Sequence, residues 1–293
     1  MTLDILVPYW GDPGHMIATV QSVLDQTDPD WTLTILDDQY PESTVRDWVG
    51  TLDDPRVVYH LNPVNLGITD NYRAAVARAT RSHLTLLGCD DLLHPNYVAL
   101  MHELIARHPE ADVLQPGVHV IDGDGRPVLP LVDRVKQRLL TPREETVLRG
   151  QDMATSLIRG NWLYWPSLTF RTDTLRRIDF REGLPIIQDL ALLMDIAFQG
   201  GSLAYSPTTA FSYRRHSGSA SQKTILDGRR FRDERTYYRT ARQLASDLGW
   251  RRTARAARWR LFSRLHGLAE LPAVLRSPRR AGISSTVAHI LAP

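Results

Sequence analysis

Four short apolar runs, separated by stretches of helical spacing, constrain the fold most. Leu3 to Tyr9 (LDILVPY) is nearly continuous in apolar residues, the pattern of a strand buried on both faces of a parallel sheet. Trp31 to Leu36, Arg56 to Leu61 and Leu84 to Leu87 follow as further strands. Met16, Ile17, Val20, Val23 and Leu24 recur at helical spacing, and Ser43 to Leu52 and Asn71 to Thr80 read as helices. Strands alternating with helices imply a mostly parallel α/β sheet with right-handed crossovers.

After a helix expected over Pro95 to His108 the rhythm changes. Ala111 to Ile121 reads as a strand, and Asp122 to Gly125 as a tight turn. Leu129 to Thr146 is polar and contains proline, which predicts a mobile loop. Asp152 to Ile158 and Gln188 to Gln199 read as helices, the second stopped by Gly200-Gly201. Leu203 to Tyr205 and Ala210 to Tyr213 read as two short strands. Beyond Gln222 the chain is helical in pattern and rich in arginine. The expected division is a body over 1–222, with halves of about 1–110 and 111–222, and a basic helical appendage over 223–293.

Charge supports that division. From Lys223 onward 16 Lys/Arg face 5 Asp/Glu, an excess of +11 in a chain whose total is +2, which leaves −9 on the first 222 residues. The single cysteine, Cys89, excludes an internal disulfide and fits a reducing compartment. The N-terminal residues lack the pattern of a signal peptide, and no window reaches the ~20 apolar residues of a membrane span. The expectation is a cytoplasmic protein, with peripheral contact at the inner membrane face left open by its basic tail.

The chemistry gathers at strand ends. Asp90 and Asp91 close the run HLTLLGCDDLLHP, where ligands bind in open α/β sheets. Adjacent carboxylates repel unless a cation lies between them. Hard oxygen donors suit Mg²⁺ or Mn²⁺, ions that share their shell with a substrate phosphate. Alone, the pair reads as a solvated turn followed by a helix cap. Asp37-Asp38, Asn65-Leu66-Gly67 and Gln188-Asp189 occupy comparable places, and Tyr213-Arg214-Arg215-His216 follows the last strand.

Together these blocks resemble glycosyltransferase family 2. They are ILVPYW, LTILDDQYPEST, NLGITDNYRAAVARAT, LLGCDDLLHPNYV, FREGLPIIQDLALLMDIAFQGG and YRRHSGSAS, and they cover about Leu3 to Ser221. The resemblance implies a GT-A fold: a Rossmann-like, mostly parallel sheet flanked by helices, here with a C-terminal helical appendage. It implies an inverting enzyme that moves a sugar from a nucleotide diphosphate to an acceptor hydroxyl, in polysaccharide, cell-envelope glycan or glycoconjugate synthesis. It further implies that Pro8, Tyr9, Asp37, Asp38, Asn65 and Gly67 surround the nucleotide. Asp90, supported by Asp91 and His216, would hold Mn²⁺ or Mg²⁺, Arg214 would meet a phosphate, and Asp189 would be the general base. Three positions depart from the family pattern: Gly88 replaces the first Asp of the Asp-x-Asp motif, Gln188 the Glu before the base, and Trp10 a common Asn.

Other readings stay open at this level. A sugar-nucleotide nucleotidyltransferase would share the fold class but normally starts with a glycine-rich loop, which GDPGH matches poorly. A non-catalytic nucleotide-sugar scaffold would suit Gly88 and Gln188. No Gly-x-Gly-x-x-Gly follows the first strand, which argues against a dehydrogenase. Trp162, Tyr164 and Trp165 fit either an acceptor platform or a packed core. The tail, with Trp259 and Phe262 among arginines, fits helices packed on the body, a homodimer contact, or an anionic membrane near a lipid-linked acceptor. Nucleic acid is not expected, because the acidic body would repel it.

Overall fold

The computed structural model describes residues 2–215, 228–276 and 280–291. The first half alternates as β1 (Leu3–Tyr9), α1 (Pro13–Leu24), β2 (Trp31–Asp37), α2 (Thr44–Val49), β3 (Val57–Leu61), α3 (Ile68–Arg78) and β4 (His83–Leu86). A two-residue strand β5 (Leu92–Leu93) and α4 (Tyr97–Arg107) follow. The second half holds β6 (Val113–Ile121), α5 (Leu131–Val135), β7 (Thr146–Arg149), α6 (Gly150–Arg159), β8 (Thr169–Arg171), α7 (Thr172–Arg177), α8 (Gln188–Phe198) and β9 (Ser202–Arg214). The tail forms α9 (Arg229–Asp247), α10 (Arg251–Trp259), α11 (Leu261–Arg276) and α12 (Arg280–Leu291).

One sheet runs in the order β3-β2-β1-β4-β8-β6-β9-β5, with β7 also on β9. β1 is parallel to β2 and β4, and β2 to β3. The second half is mixed: β8 lies antiparallel between β4 and β6, while β6 and β9 form a long parallel ladder. Side chains alternate across β1. Leu3, Ile5 and Val7 enter one core with Met16 and Val20 of α1, whereas Leu6 enters the other with Ala75 of α3 and Leu193 of α8. Burial on both faces is why β1 reads as a continuous apolar run.

The tail is seated on the body. Tyr237, Tyr238 and Ala241 of α9 and Ala257 of α10 belong to the same core as α6 and α8. The Tyr237 hydroxyl donates to the Ala191 carbonyl of α8 (3.3 Å), the Thr155 and Thr253 hydroxyls share a hydrogen bond (2.8 Å), and Trp250 packs on Phe198.

Two expectations need correction. Residues 131–140, expected as a mobile loop, form α5 and a π-helical turn over Lys136–Leu140, held by the fully buried Asp133. The two short strands expected near 203 and 210 are one 13-residue strand, β9. It continues through Pro207 because Gly117 of β6 lets the backbones close: a Cβ at Gly117 would sit 2.5 Å from the Pro207 carbonyl oxygen.

Candidate active site

Parallel pairing brings the ends of β1, β2 and β3 side by side, with Tyr9 in register with Asp37 and Asp37 with Leu61. Buried carboxylates hold the loops that leave this edge. Asp37 accepts from the Tyr40 amide (2.7 Å) and from the Tyr59 hydroxyl. Asp38 accepts from the amides of Leu66 (2.7 Å) and Gly67 (2.8 Å) and from the Asn62 side chain (2.9 Å). Asn65 closes the loop by donating to the Asp38 carbonyl at 2.9 Å. Gly67 has φ +78°, a left-handed conformation that favours glycine, and stands just before α3. Asp38, Asn65 and Gly67 are thus brought together as one loop-shaping set.

Pro8 is half-buried and Tyr9 fully buried. Burial, then the nearby Tyr40, pushes the Tyr9 hydroxyl well above its usual pKa, and it has no hydrogen-bond partner among the described residues. The exposed aromatic surface of this edge is another pair. Trp10 is 52% exposed and meets Tyr40 edge-on at 5.6 Å. Sequence reading noticed Trp10 only as a departure. Its exposure beside a strand end leaves part of the indole open to solvent.

Asp90 and Asp91 lie past the end of β4. Asp91 is buried, and its Oδ1 accepts the Arg214 amide at 2.7 Å. Its Oδ2 is buried without a partner. Burial, then the neighbouring Asp90 carboxylate, holds Asp91 well above the usual carboxylate range. A Cβ built on Gly88 would lie 2.5 Å from Asp91 Oδ2 and 3.2 Å from Asp90 Oδ1, so both oxygens face one point above Gly88. An orphaned carboxylate oxygen beside a second carboxylate fits a hard divalent cation. Among the described residues no group of three His, Cys, Asp or Glu could hold a metal, and His216 lies outside the described residues. The ion would therefore take its remaining ligands elsewhere, and diphosphate oxygens are the natural source. Cys89 is not a donor, since burial, then Asp90, pushes its thiol up to about 12.

Arg214, expected to meet a phosphate, is engaged within the protein. Its buried guanidinium donates to the carbonyls of Asp90 (2.7 Å), Asp122 (3.2 Å) and Gly123 (3.0 Å). It ties the acidic pair to the turn after β6, which makes it a positioning residue.

Asp189 is the second residue of α8 and is not its cap; Ile187 holds that place without a side-chain bond. Burial pushes its carboxyl up, against the opposing effects of the Leu190 amide and the Arg230 and Lys136 charges. Burial thus outweighs the helix N-terminus, which would favour the ionised form. Asn161 donates to Asp189 Oδ2 at 3.3 Å. Gln188 is not turned toward the base: it accepts from the Thr69 hydroxyl at 2.6 Å, linking α8 to α3.

The aromatic trio divides. Trp162 is fully buried, donates to Ser156 at 3.0 Å and meets Tyr205 edge-on, so it is core and offers no face to a sugar. Trp165 is half-buried between Tyr72, Phe170 and Phe180. Burial raises the pKa of the Tyr72 hydroxyl, with smaller contributions from Cys89, Asp90 and Asp91. Two further groups were not foreseen. Asp133 forms a bidentate pair with Arg215 (2.5 and 2.9 Å) and accepts from Tyr164 at 2.9 Å. Lys136 donates to the Leu163 carbonyl at 3.1 Å and sits 4.0 Å above the Tyr164 ring. Their polar stretch read as a mobile loop; only Leu131, Val132 and Val135 hinted at a packed turn.

The orphaned acidic pair past the end of β4 and the half-buried Asp189 on α8 thus belong to one mixed α/β sheet and the helices packed on it. The model for "Glycosyl transferase family 2" matches residues 4–167, more than half of the chain. The chain belongs to glycosyl transferase family 2, and its fold is that of the GT-A glycosyltransferases. It is 28% identical over 99 residues to "Putative colanic acid biosynthesis glycosyl transferase WcaA" of Escherichia coli K12, which covers 33% of this chain and 36% of that protein. It is 27% identical over 117 residues to the uncharacterized protein y4gI of Sinorhizobium fredii NGR234, covering 38% and 13%. The aligned stretches thus span little more than a third of those relatives at most. Among solved structures, S. aureus TarS 1-349 aligns with a TM-score of 0.66 at 15% identity over 99% of this chain and 81% of that one. Its complex with UDP-GlcNAc gives 0.67 at 16%, over 99% and 82%.

Proposed function

We propose that this chain transfers a sugar from a nucleoside diphosphate to an acceptor hydroxyl with inversion, in the synthesis of a cell-envelope glycan or glycoconjugate. One observation carries the reading. The segment 161–166 touches both ends of the site: Asn161 holds Asp189, and Pro166 Cβ stands 3.3 Å from where a Cβ on Gly88 would lie, beside Asp90 and Asp91. Five residues of chain reach at most ~17 Å. The base and the acidic pair are therefore close enough to flank one donor sugar and its diphosphate.

In this mechanism Asp189 takes the acceptor proton as the hydroxyl attacks the anomeric carbon from the face opposite the diphosphate. Its raised pKa makes it a stronger base than a solvated carboxylate. Asp90 and Asp91 would hold Mn²⁺ or Mg²⁺, with His216 as a further candidate ligand; such an ion would supply neutralisation of charge on the leaving diphosphate. Pro8, Tyr9, Asp37, Asp38, Asn65 and Gly67 shape the nucleotide pocket, with Trp10 and Tyr40 as its aromatic wall. Trp165 remains the acceptor-side aromatic. A UDP-linked sugar is the first donor to test, because TarS is solved with UDP-GlcNAc and with UDP. Release of nucleoside diphosphate that requires both acceptor and Asp189 supports the reading. Donor binding with no release under any acceptor would mark a non-catalytic binder.

Peripheral membrane contact is part of the same proposal. Leu261, Leu265, Leu268 and Leu275 form an exposed stripe along α11, next to Trp259 at 61% exposure. No helix of the described residues is long and apolar enough to cross a membrane. An anionic surface suits this stripe better than a second copy, since two copies would oppose their +11 tails. Flotation with anionic vesicles that is lost on Leu265→Glu and Leu268→Glu supports it. Unchanged flotation removes the stripe from the proposal, and a dimer that dissociates in the same variant would assign the stripe to self-association.

A further inference from the structure

A second charged site lies on the tail, formed by residues with no part in the proposed transfer. α9 presents Arg235, Tyr238, Arg239 and Arg242 along one face, at the i, i+3, i+4 and i+7 spacing that aligns side chains. Arg258 at the end of α10 and Arg260 just beyond it complete a groove against that face. Its cavity of about 40 Å³ has room for roughly three waters, the size of a single phosphate group and not of a nucleotide.

The groove is unfavourable as it stands. Five guanidiniums line it and no carboxylate does. Among the described residues Arg235, Arg239, Arg242 and Arg258 form no ion pair; Arg235 donates instead to the Ser285 carbonyl at 2.6 Å. Glu234, on the same helix, is engaged by Arg230 (3.0 Å) and Ser263 (2.6 Å). Burial, then Arg239 and Arg232, makes the charged form of Arg235 harder to hold than usual. Arg260 is 3% exposed and adopts φ +49°, a conformation rare outside glycine and asparagine. Strain of this kind persists where the surroundings over-determine it and clusters at ligand clamps.

We propose that this groove is an anion site that takes one phosphate group, as free phosphate or as the headgroup of an acidic phospholipid. Guanidinium forks suit phosphate oxygens, and a bound dianion removes the mutual repulsion of the cluster. The site is independent of the transfer chemistry, so its test measures binding only.

The test compares the full chain with an Arg239→Gln, Arg258→Gln double variant; both side chains are exposed, so folding should survive. In chloride the variant should melt higher than the parent, because like charges have been removed. Phosphate at equal ionic strength should raise the parent's melting temperature, and raise the variant's by clearly less. The donor site is unaltered in both proteins, so the difference reports the groove. Flotation with phosphatidylglycerol in phosphatidylcholine forms the second arm. A phosphate-induced shift weakened in the variant assigns free phosphate. Flotation weakened in the variant, with no phosphate shift, assigns the lipid headgroup. Parent and variant alike in both arms overturns the proposal.

Discussion

Arg214 grips the acidic pair at two points: its amide donates to Asp91 Oδ1 at 2.7 Å and its guanidinium to the Asp90 carbonyl at 2.7 Å. The last residue of β9 thereby fixes the loop after β4 across the sheet.

Arg214→Lys keeps the amide contact and loses the fork that reaches Asp122 and Gly123. Unsatisfied buried acceptors cost about 1–3 kcal/mol. The variant should melt lower, and nucleoside diphosphate binding should lose part of its Mn²⁺ enhancement. Calorimetry with and without Mn²⁺ reads both. A direct phosphate contact would instead weaken nucleotide binding equally with and without the ion.

Gly88→Asp recreates the residue expected from family resemblance and should harm this protein. The new Cβ would meet Asp91 Oδ2 at 2.5 Å and Pro166 Cβ at 3.3 Å. Overpacking of this kind costs about 1–3 kcal/mol. Denaturant unfolding should show that loss, with Gly88→Ala losing nearly as much because the clash begins at Cβ. Equal or greater stability in Gly88→Asp would mean that the two carboxylates do not converge above Gly88.

Asp189→Asn separates base from structure. Transfer should fall about 10²–10⁴-fold, while donor binding with metal changes little. Stability should move the other way. The folded carboxyl titrates above its unfolded value, so stability falls as pH rises through that window and stays lower at neutral pH. Removing the ionisable group should raise the melting temperature at pH 7 and leave acid stability closer to the parent's. Normal turnover in the variant would transfer the role to another carboxylate.

Lys136 supplies a titration on the alkaline side. Burial lowers its pKa to about 8 from 10.5, so the unfolded chain binds more protons between those values. Stability contributed through this group therefore rises with pH over that range. Lys136→Met should flatten the rise, read as the difference between parent and variant melts from pH 7.5 to 10.5 (about the titration range expected from linkage). Parallel pH profiles would mean that Lys136 stays solvated.

Sequence was most informative where burial leaves a periodic trace. β1 is bounded at Leu3 and Tyr9 in both readings, because a strand with two buried faces shows no polar break. The acidic pair and Asp189 stood out because charge next to an apolar run is conspicuous. Hidden features depended on distant partners. Leu92 and Leu93 become β5 only through Ser212 and Phe211 of β9. Asp133 looked solvated until Arg215 and Tyr164, far along the chain, closed around it. Trp162 carried no mark to distinguish core from platform, since aromatic composition alone is silent about which way a ring faces.

The seating of the tail on α8 limits how such an enzyme can be rebuilt. A chain ending at residue 222 would bare the Ala191 carbonyl, the Phe198 ring and the Thr155 hydroxyl, all now covered by Tyr237, Trp250 and Thr253. Two of these lie on the helix that bears Asp189. The basic tail is therefore not a detachable module: exchanging it for another protein's tail would retune the base-bearing helix along with whatever the tail binds.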